Sequence, residues 1–199
     1  RGIREYAPYD EMKTINWKAT ARTGDLMVNI RNYTSLRAVR IFLNLADTGI
    51  LKNEQLVELC ISIAARFAGE LLEQGIRVAV YANGKDVLTG DPMKMQPSAG
   101  PGHMESINRA FARISLEEGV YPFGELFRGE LEEEGKDMAT LFLSVDRSPE
   151  FQEDIRTFAR MGTDFTWMCP LFPRMESHVE EEEALHFIKL DAEEMLNGK

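Results

Sequence analysis

The chain has little cysteine, little histidine and no long apolar run, and each shortage removes a class of explanation. Two cysteines in 199 residues, Cys60 and Cys169, are too few and too isolated for a disulfide framework or a metal knuckle, which points to a reducing compartment. Three histidines, His103, His178 and His186, come with neither G-x-S-x-G nor H-E-x-x-H. No stretch approaches the roughly 18 consecutive apolar residues that a bilayer span requires. The opening "RGIREYAP" has neither the apolar core nor the cleavage site of a signal peptide. The sequence therefore reads as a soluble piece, and its start inside a dense motif without an initiator methionine reads as an excision from a longer protein.

Positive charge is also scarce. The formal charge is −10, which argues against nucleic acid, because duplex binding is driven by Lys and Arg neutralising phosphates. Its distribution is uneven. Residues 1–40 hold eight Lys/Arg against four acids, a balance of +4, which leaves −14 for the remainder: a basic arm on an acidic body.

What is present suffices for a core. At 44% hydrophobic content, 199 residues support one domain of α/β size. "VRIFLNL" (Val39 to Leu45) is a nearly continuous apolar run, the mark of a strand buried on both faces. The next segment places Leu56, Leu59, Cys60, Ile63, Phe67 and Leu71 at helical spacing, with Asn53 as N-cap and Gly75 as stop. "IRVAVYA" (Ile76 to Ala82) reads as a strand, and Asn83-Gly84 as a type I′ turn leading into a short antiparallel edge strand in "KDVLTG". Residues 91–102, rich in proline, read as a loop. "HMESINRAFARI" and "FGELFRGELEEEG" read as helices, the second ending at Gly135, and "ATLFLSV" (Ala139 to Val145) as another buried strand. Ser148-Pro149-Glu150 opens a helix with Phe151, Ile155 and Phe158 inward. "DFTWMC" (Asp164 to Cys169) and "ALHFIKL" (Ala184 to Leu190) close as strands, and "EEEE" at Glu180 to Glu183 reads as a solvated loop.

This order predicts an α/β fold: an open, mostly parallel, doubly wound sheet with one antiparallel edge strand, over 39–199, preceded by a segment 1–38 packed on it. Ligands in such sheets sit beyond the C-terminal strand ends, here near "NLADTG" (Asn44 to Gly49) and "SVDRS" (Ser144 to Ser148).

The element order resembles a von Willebrand factor type A domain. The opening "REYAPYDEMKTINWKATAR" resembles the signature of the bacterial family called domain of unknown function 58, approximately R-x-Y-x-P-G-D-D-x-R-x-I-D/N-W-K-x-S/T-A-R. Arg4, Tyr6, Pro8, Asp10, Ile15, Asn16, Trp17, Lys18, Thr20, Ala21 and Arg22 fit; Tyr9, Glu11 and Lys13 depart from Gly, Asp and Arg. The resemblance implies a parent anchored by an N-terminal membrane hairpin, a domain on the cytoplasmic face of the bacterial membrane, and the company of MoxR-type AAA+ ATPases. It names no reaction, and a non-enzymatic interaction module is the expectation.

Type A domains often hold a divalent ion through D-x-S-x-S after the first strand, with ligands from two further loops, because Mg²⁺ takes carboxylate, hydroxyl and water oxygens. Here the motif is "NLADT". With Asn44 in place of the first aspartate, Ala46 and Thr48 take the serine positions, and the shifted alignment puts Leu45 where the aspartate should be; either way the motif is broken, Asp47 is the only nearby carboxylate, and Ser98 and Asp146 are the candidates on the other loops. The expectation is no cofactor, with Mg²⁺ the one considered, and a capping turn of Asp47, Thr48 and Asn53 in its place. The one covalent arrangement the residues offer is Cys169 with His103, and Cys60 reads as a small core residue. In the opening segment, Pro8, Ile15 and Trp17 are expected to anchor a strap, with Asp10 and Glu11 facing Lys18 or Arg22. Arg4, Tyr6, Asp10, Lys13, Asn16, Trp17, Lys18 and Arg22 are the candidate partner-binding set, a docking face for an acidic partner or anionic headgroups.

Overall fold

The computed structural model describes residues 2–7, 17–30, 38–49, 53–133, 138–162 and 164–197. They belong to two compact units, Arg1–Leu36 and Arg37–Lys199.

The first unit contains strand β1 (Gly2–Glu5), helix α1 (Trp17–Thr23) and strand β2 (Met27–Ile30). β1 and β2 pair antiparallel from Gly2↔Ile30 to Glu5↔Met27, and Tyr6 N–H extends the ladder to Leu26 O at 2.8 Å. Thr20 closes the α1–β2 turn: its carbonyl accepts from Gly24 N–H at 2.9 Å and its Oγ1 from Met27 N–H at 3.0 Å. Gly24, at φ 85°, takes the left-handed conformation that ends the helix. Elements of four, seven and four residues are too short to print a period on the sequence.

The second unit runs β3 (Ala38–Asn44), α2 (Glu54–Glu73), β4 (Arg77–Asp86), β5 (Pro92–Ser98), α3 (Pro101–Phe111), β6 (Ile114–Val120), α4 (Phe123–Glu133), β7 (Met138–Ser144), α5 (Pro149–Arg160), β8 (Phe165–Leu171), β9 (Phe187–Asp191) and α6 (Ala192–Leu196). The sheet order is β5-β4-β3-β7-β8-β9. β4, β3, β7, β8 and β9 are parallel, and β5 pairs antiparallel with β4. The open, mostly parallel, doubly wound sheet with an antiparallel edge is the architecture that the element order predicts.

α2, α3 and α6 cover one face over an aliphatic core that includes Ile41, Leu43, Ile63, Val80, Ile107 and Leu143. α4 and α5 cover the other over Phe42, Phe123, Phe127, Phe142, Phe158 and Trp167. The caps are the predicted ones: Asn53 Oδ1 accepts from Leu56 N–H at 3.3 Å and Ser148 Oγ from Phe151 N–H at 3.3 Å. Gly75, at φ 74°, ends α2, with Ile76 N–H returning to Leu71 O at 3.0 Å.

Four readings are corrected. Asn83-Gly84 is not a turn: β4 runs through both, and the chain reverses at Val87–Gly90, with Gly90 N–H on Asp86 O at 2.8 Å. Residues 92–98 are not loop but the edge strand itself; Pro92 and Pro97 are tolerated because an edge leaves backbone N–H groups unclaimed. β6 was not foreseen; it pairs antiparallel with the distal end of β4 at Gly84, Lys85 and Asp86, where β3 has already stopped at Asn44. The last strand starts later, at Phe187, and Asp191 caps the short α6 by accepting from Glu193 and Glu194 N–H.

Candidate functional site

At the C-terminal end of the sheet, β3 and β7 finish in "IFLN" and "LFLS", and β4 passes the same level in "VYAN" before running on to Asp86; Asn44, Asn83 and Ser144 are all buried. Parallel register sets them side by side: Leu43 pairs with Ala82, and Asn44 with Ser144. Taking such groups out of water without partners would cost about 1–3 kcal/mol each, so they bond to one another and to the loops above.

Asn83 Oδ1 accepts from Leu45 N–H at 2.7 Å, which fixes the orientation of its amide. Its Nδ2 is thereby aimed at Asn44 Oδ1, 2.8 Å away, and at Tyr121 O, 3.1 Å away. Asn44 Oδ1 also accepts from Ala46 N–H at 3.1 Å, so the face that Asn44 turns to Asp146 is its Nδ2, donating to Oδ2 at 3.2 Å. Asp146 Oδ1 takes Thr48 Oγ1–H at 2.6 Å and Ser148 N–H at 2.9 Å. Ser144 Oγ–H donates to Asn44 O at 2.9 Å and accepts from Asp146 N–H at 3.0 Å. The loops after β3 and β7 and the β6–α4 junction are thus tied by side chains buried at the end of the sheet. Beside them, Arg147 Nη1 donates to Glu176 O at 2.6 Å and Gln152 Nε2 to His178 O at 3.2 Å, which fastens the loop after β8.

Of the metal candidates, Asn44, Thr48 and Asp146 meet in this network. Asp47 does not join it: its Oδ1 accepts from Gly49 N–H and its Oδ2 from Asn53 N–H, so it caps the approach to α2 without Thr48. Ser98 is at the other end of the sheet, paired with Val78 near the start of β4 and exposed. The residues present do not fit a divalent cation. A hard cation needs oxygen donors, but the group facing the Asp146 carboxylate from the first loop is an N–H donor held in place by two neighbours. Among the described residues, no group of three or more His, Cys, Asp or Glu side chains is arranged to hold a metal.

His103 and Cys169 do not meet. His103 Nε2 is 2.8 Å from Val78 O, at the opposite end of the sheet from Cys169, whose strand partner is Lys189. Cys169 is buried and its thiol is pushed up to about 12, chiefly by burial, with Arg147 opposing and Asp146 adding. Cys60 is buried in the aliphatic core, and its thiol is also pushed up.

In the first unit, Arg4 is half-buried with Nη1 donating to Glu5 O at 2.9 Å, Tyr6 is half-buried and Arg22 is exposed. Pro8, Asp10, Glu11, Lys13, Ile15 and Asn16 lie outside the described residues, as do the side chains of Trp17 and Lys18. Sequence reading assigned Asn83 to a turn and Ser144 only to the start of a ligand-side segment; the signal for their role was a small polar residue placed directly after each of three buried apolar runs. No described helix is long and apolar enough to cross a membrane.

No curated protein matches the chain. Among solved structures, it is similar to the conserved hypothetical protein BatB from Bacteroides thetaiotaomicron, at 12% identity and a TM-score of 0.50, covering 80% of this chain and 92% of that one. It is also similar to proximal thread matrix protein 1 from the mussel byssus, at 11% identity and a TM-score of 0.49, covering 81% of this chain and 45% of that one, so it spans less than half of that protein. The likeness to BatB is one of fold. Residues 2–119 match the family described as "Protein of unknown function DUF58", a span from the signature segment through β5 and α3 into β6, and the chain belongs to that family.

Proposed function

We propose that the chain is a protein-interaction module of a membrane-anchored bacterial protein, acting with a MoxR-type AAA+ ATPase and engaging it at the C-terminal end of the sheet. The observation that carries the reading is the buried network of Asn44, Asn83, Ser144 and Asp146, which holds the loops as one platform before a partner arrives. A preformed platform costs little ordering entropy on binding. Exposed Glu125, Glu150 and Glu176 rise from the segments so tied, which suits a basic partner face.

Capture of the purified ATPase on the immobilised chain tests this. Glu125→Lys together with Glu150→Lys and Glu176→Lys should weaken capture by more than about tenfold, roughly 1.4 kcal/mol. Ser98→Arg, at the other end of the sheet, should leave it unchanged. Undiminished capture by the triple variant refutes the reading.

A further inference from the structure

We infer that the Asn44 amide occupies the role of a cation in this fold, closing the C-terminal end of the sheet by a hydrogen bond where a type A-like site would close it with a metal. The inference rests on the local geometry and is independent of the interaction reading above. Asp146 is a buried carboxylate, and its charge is met by three donors: Asn44 Nδ2 at 3.2 Å, Thr48 Oγ1 at 2.6 Å and Ser148 N–H at 2.9 Å. Ser148 also caps α5, so the positive end of that helix lies beside the same carboxylate. The amide orientation of Asn44 is not free. Ala46 N–H and Asn83 Nδ2 both donate to its Oδ1, and Asn83 is itself fixed by Leu45 N–H. Two asparagines are therefore required, one to face the carboxylate and one to hold the first in register.

Exchanging the Asn44 amide for a carboxylate is nearly isosteric and leaves the Ala46 and Asn83 bonds in place. It sets two carboxylates against each other with the Thr48 hydroxyl beside them. That is an oxygen set which a hard cation takes, and which repels itself without one. A single atom, Nδ2 or Oδ2, separates a cation-independent closure from a cation-dependent one.

Thermal unfolding of the whole chain tests this, in EDTA and in a titration of Mg²⁺ or Mn²⁺. The wild-type Tm should not respond to either ion. Asn44→Asp should melt lower in EDTA and recover saturably, by about 5–10 °C at a hundredfold excess over Kd. Asn44→Ala should melt lower and stay there. Asn44→Asp with Asp146→Asn, which restores an amide facing a carboxylate, should regain most of the loss in EDTA. A saturable wild-type response abolished by Asp146→Asn overturns the inference, and so does Asn44→Asp that folds but ignores the cation. Should Asn44→Asp not fold, Mn²⁺ titration of the wild type followed by electron paramagnetic resonance decides. No ion release on Asp146→Asn supports the inference, and release of a bound ion refutes it.

Discussion

The two faces of the sheet are built on different plans. On the side of α2, the central strands present three apolar levels in register: Val39 with Val78, Ile41 with Val80 and Leu141, and Leu43 with Ala82 and Leu143. On the side of α4 and α5, the same strands present a polar level, an aromatic level and a second polar level. Arg40 lies beside Thr140, its Nη2 3.3 Å from Thr140 Oγ1. Phe42 pairs with Tyr81 and Phe142. Asn44 pairs with Ser144 and bonds to Asn83. The guanidinium of Arg40 lies 5.3 Å from the Phe42 ring centroid and 5.9 Å from that of Phe158. The aliphatic face thus depends on area, whereas the aromatic face depends on position, because rings and hydrogen bonds both have preferred geometries. The candidate site is the last level of the face that depends on position.

The largest expected effect separates the two plans. Phe142 has ring neighbours at 5.5 Å (Phe42), 6.4 Å (Phe123), 5.7 Å (Phe127), 5.3 Å (Phe158) and 6.1 Å (Phe165). Phe142→Ala should cost about 3–5 kcal/mol by urea unfolding. The sharper test is the milder pair. Leu143→Met, on the aliphatic face, should cost less than about 1.5 kcal/mol, and Phe142→Leu should cost more than that, since it removes ring geometry as well as volume. Equal costs for the two would erase the distinction.

Much of this was legible. The alternation of strands and helices along the chain, the helix caps and the two-sided burial of the sheet follow from apolar runs, Asn53, Ser148-Pro149 and Gly75, whereas the order of strands across the sheet does not. The apolar run "VRIFLNL" hid the difference between the faces, because Arg40 and Asn44 count as interruptions of hydrophobicity until period 2 places them, with Phe42 between, on one side. Asn83-Gly84 misled for a related reason: its residues suit a turn, yet here each serves a different face. Asn83 points into the polar level, while Gly84 allows close approach on the other side. A Cβ on Gly84 would lie 2.5 Å from Ile114 Cγ2 and 2.7 Å from Leu45 Cδ1. Gly84→Ala should therefore cost about 1–3 kcal/mol through overpacking, and Ile114→Ala in the same chain should return part of it. An additive double variant would mean that the cost lies in the backbone or against Leu45 and not in the Ile114 contact.

The smallest effect at neutral pH belongs to the two thiols, one packed in the aliphatic core and the other beside Asp146 and Arg147 at the polar end. Burial raises both, Cys169 from an ordinary 9.0 to about 12, with Arg147 opposing, Asp146 adding and Lys189 opposing. A thiol that holds its proton more tightly when folded contributes stability that is fully present below pH 9, where both states are protonated. That stability is lost as pH rises from 9 toward 12, because the unfolded chain ionises first. Lysines and tyrosines titrate in the same range, so the informative quantity is a difference. Between pH 9 and 11 the wild type should lose stability faster than Cys169→Ala by about 1.4 kcal/mol per pH unit, the slope of one proton, while the two differ little in slope below pH 8. Thiol titration gives the companion measurement: neither Cys60 nor Cys169 should react with an aromatic disulfide in the folded chain, and both should react in urea. A folded Cys169 that reacts at neutral pH would show the polar end to be open to reagent, and the tied level of Asn44, Asn83 and Asp146 would not then be the seal that its hydrogen bonds describe.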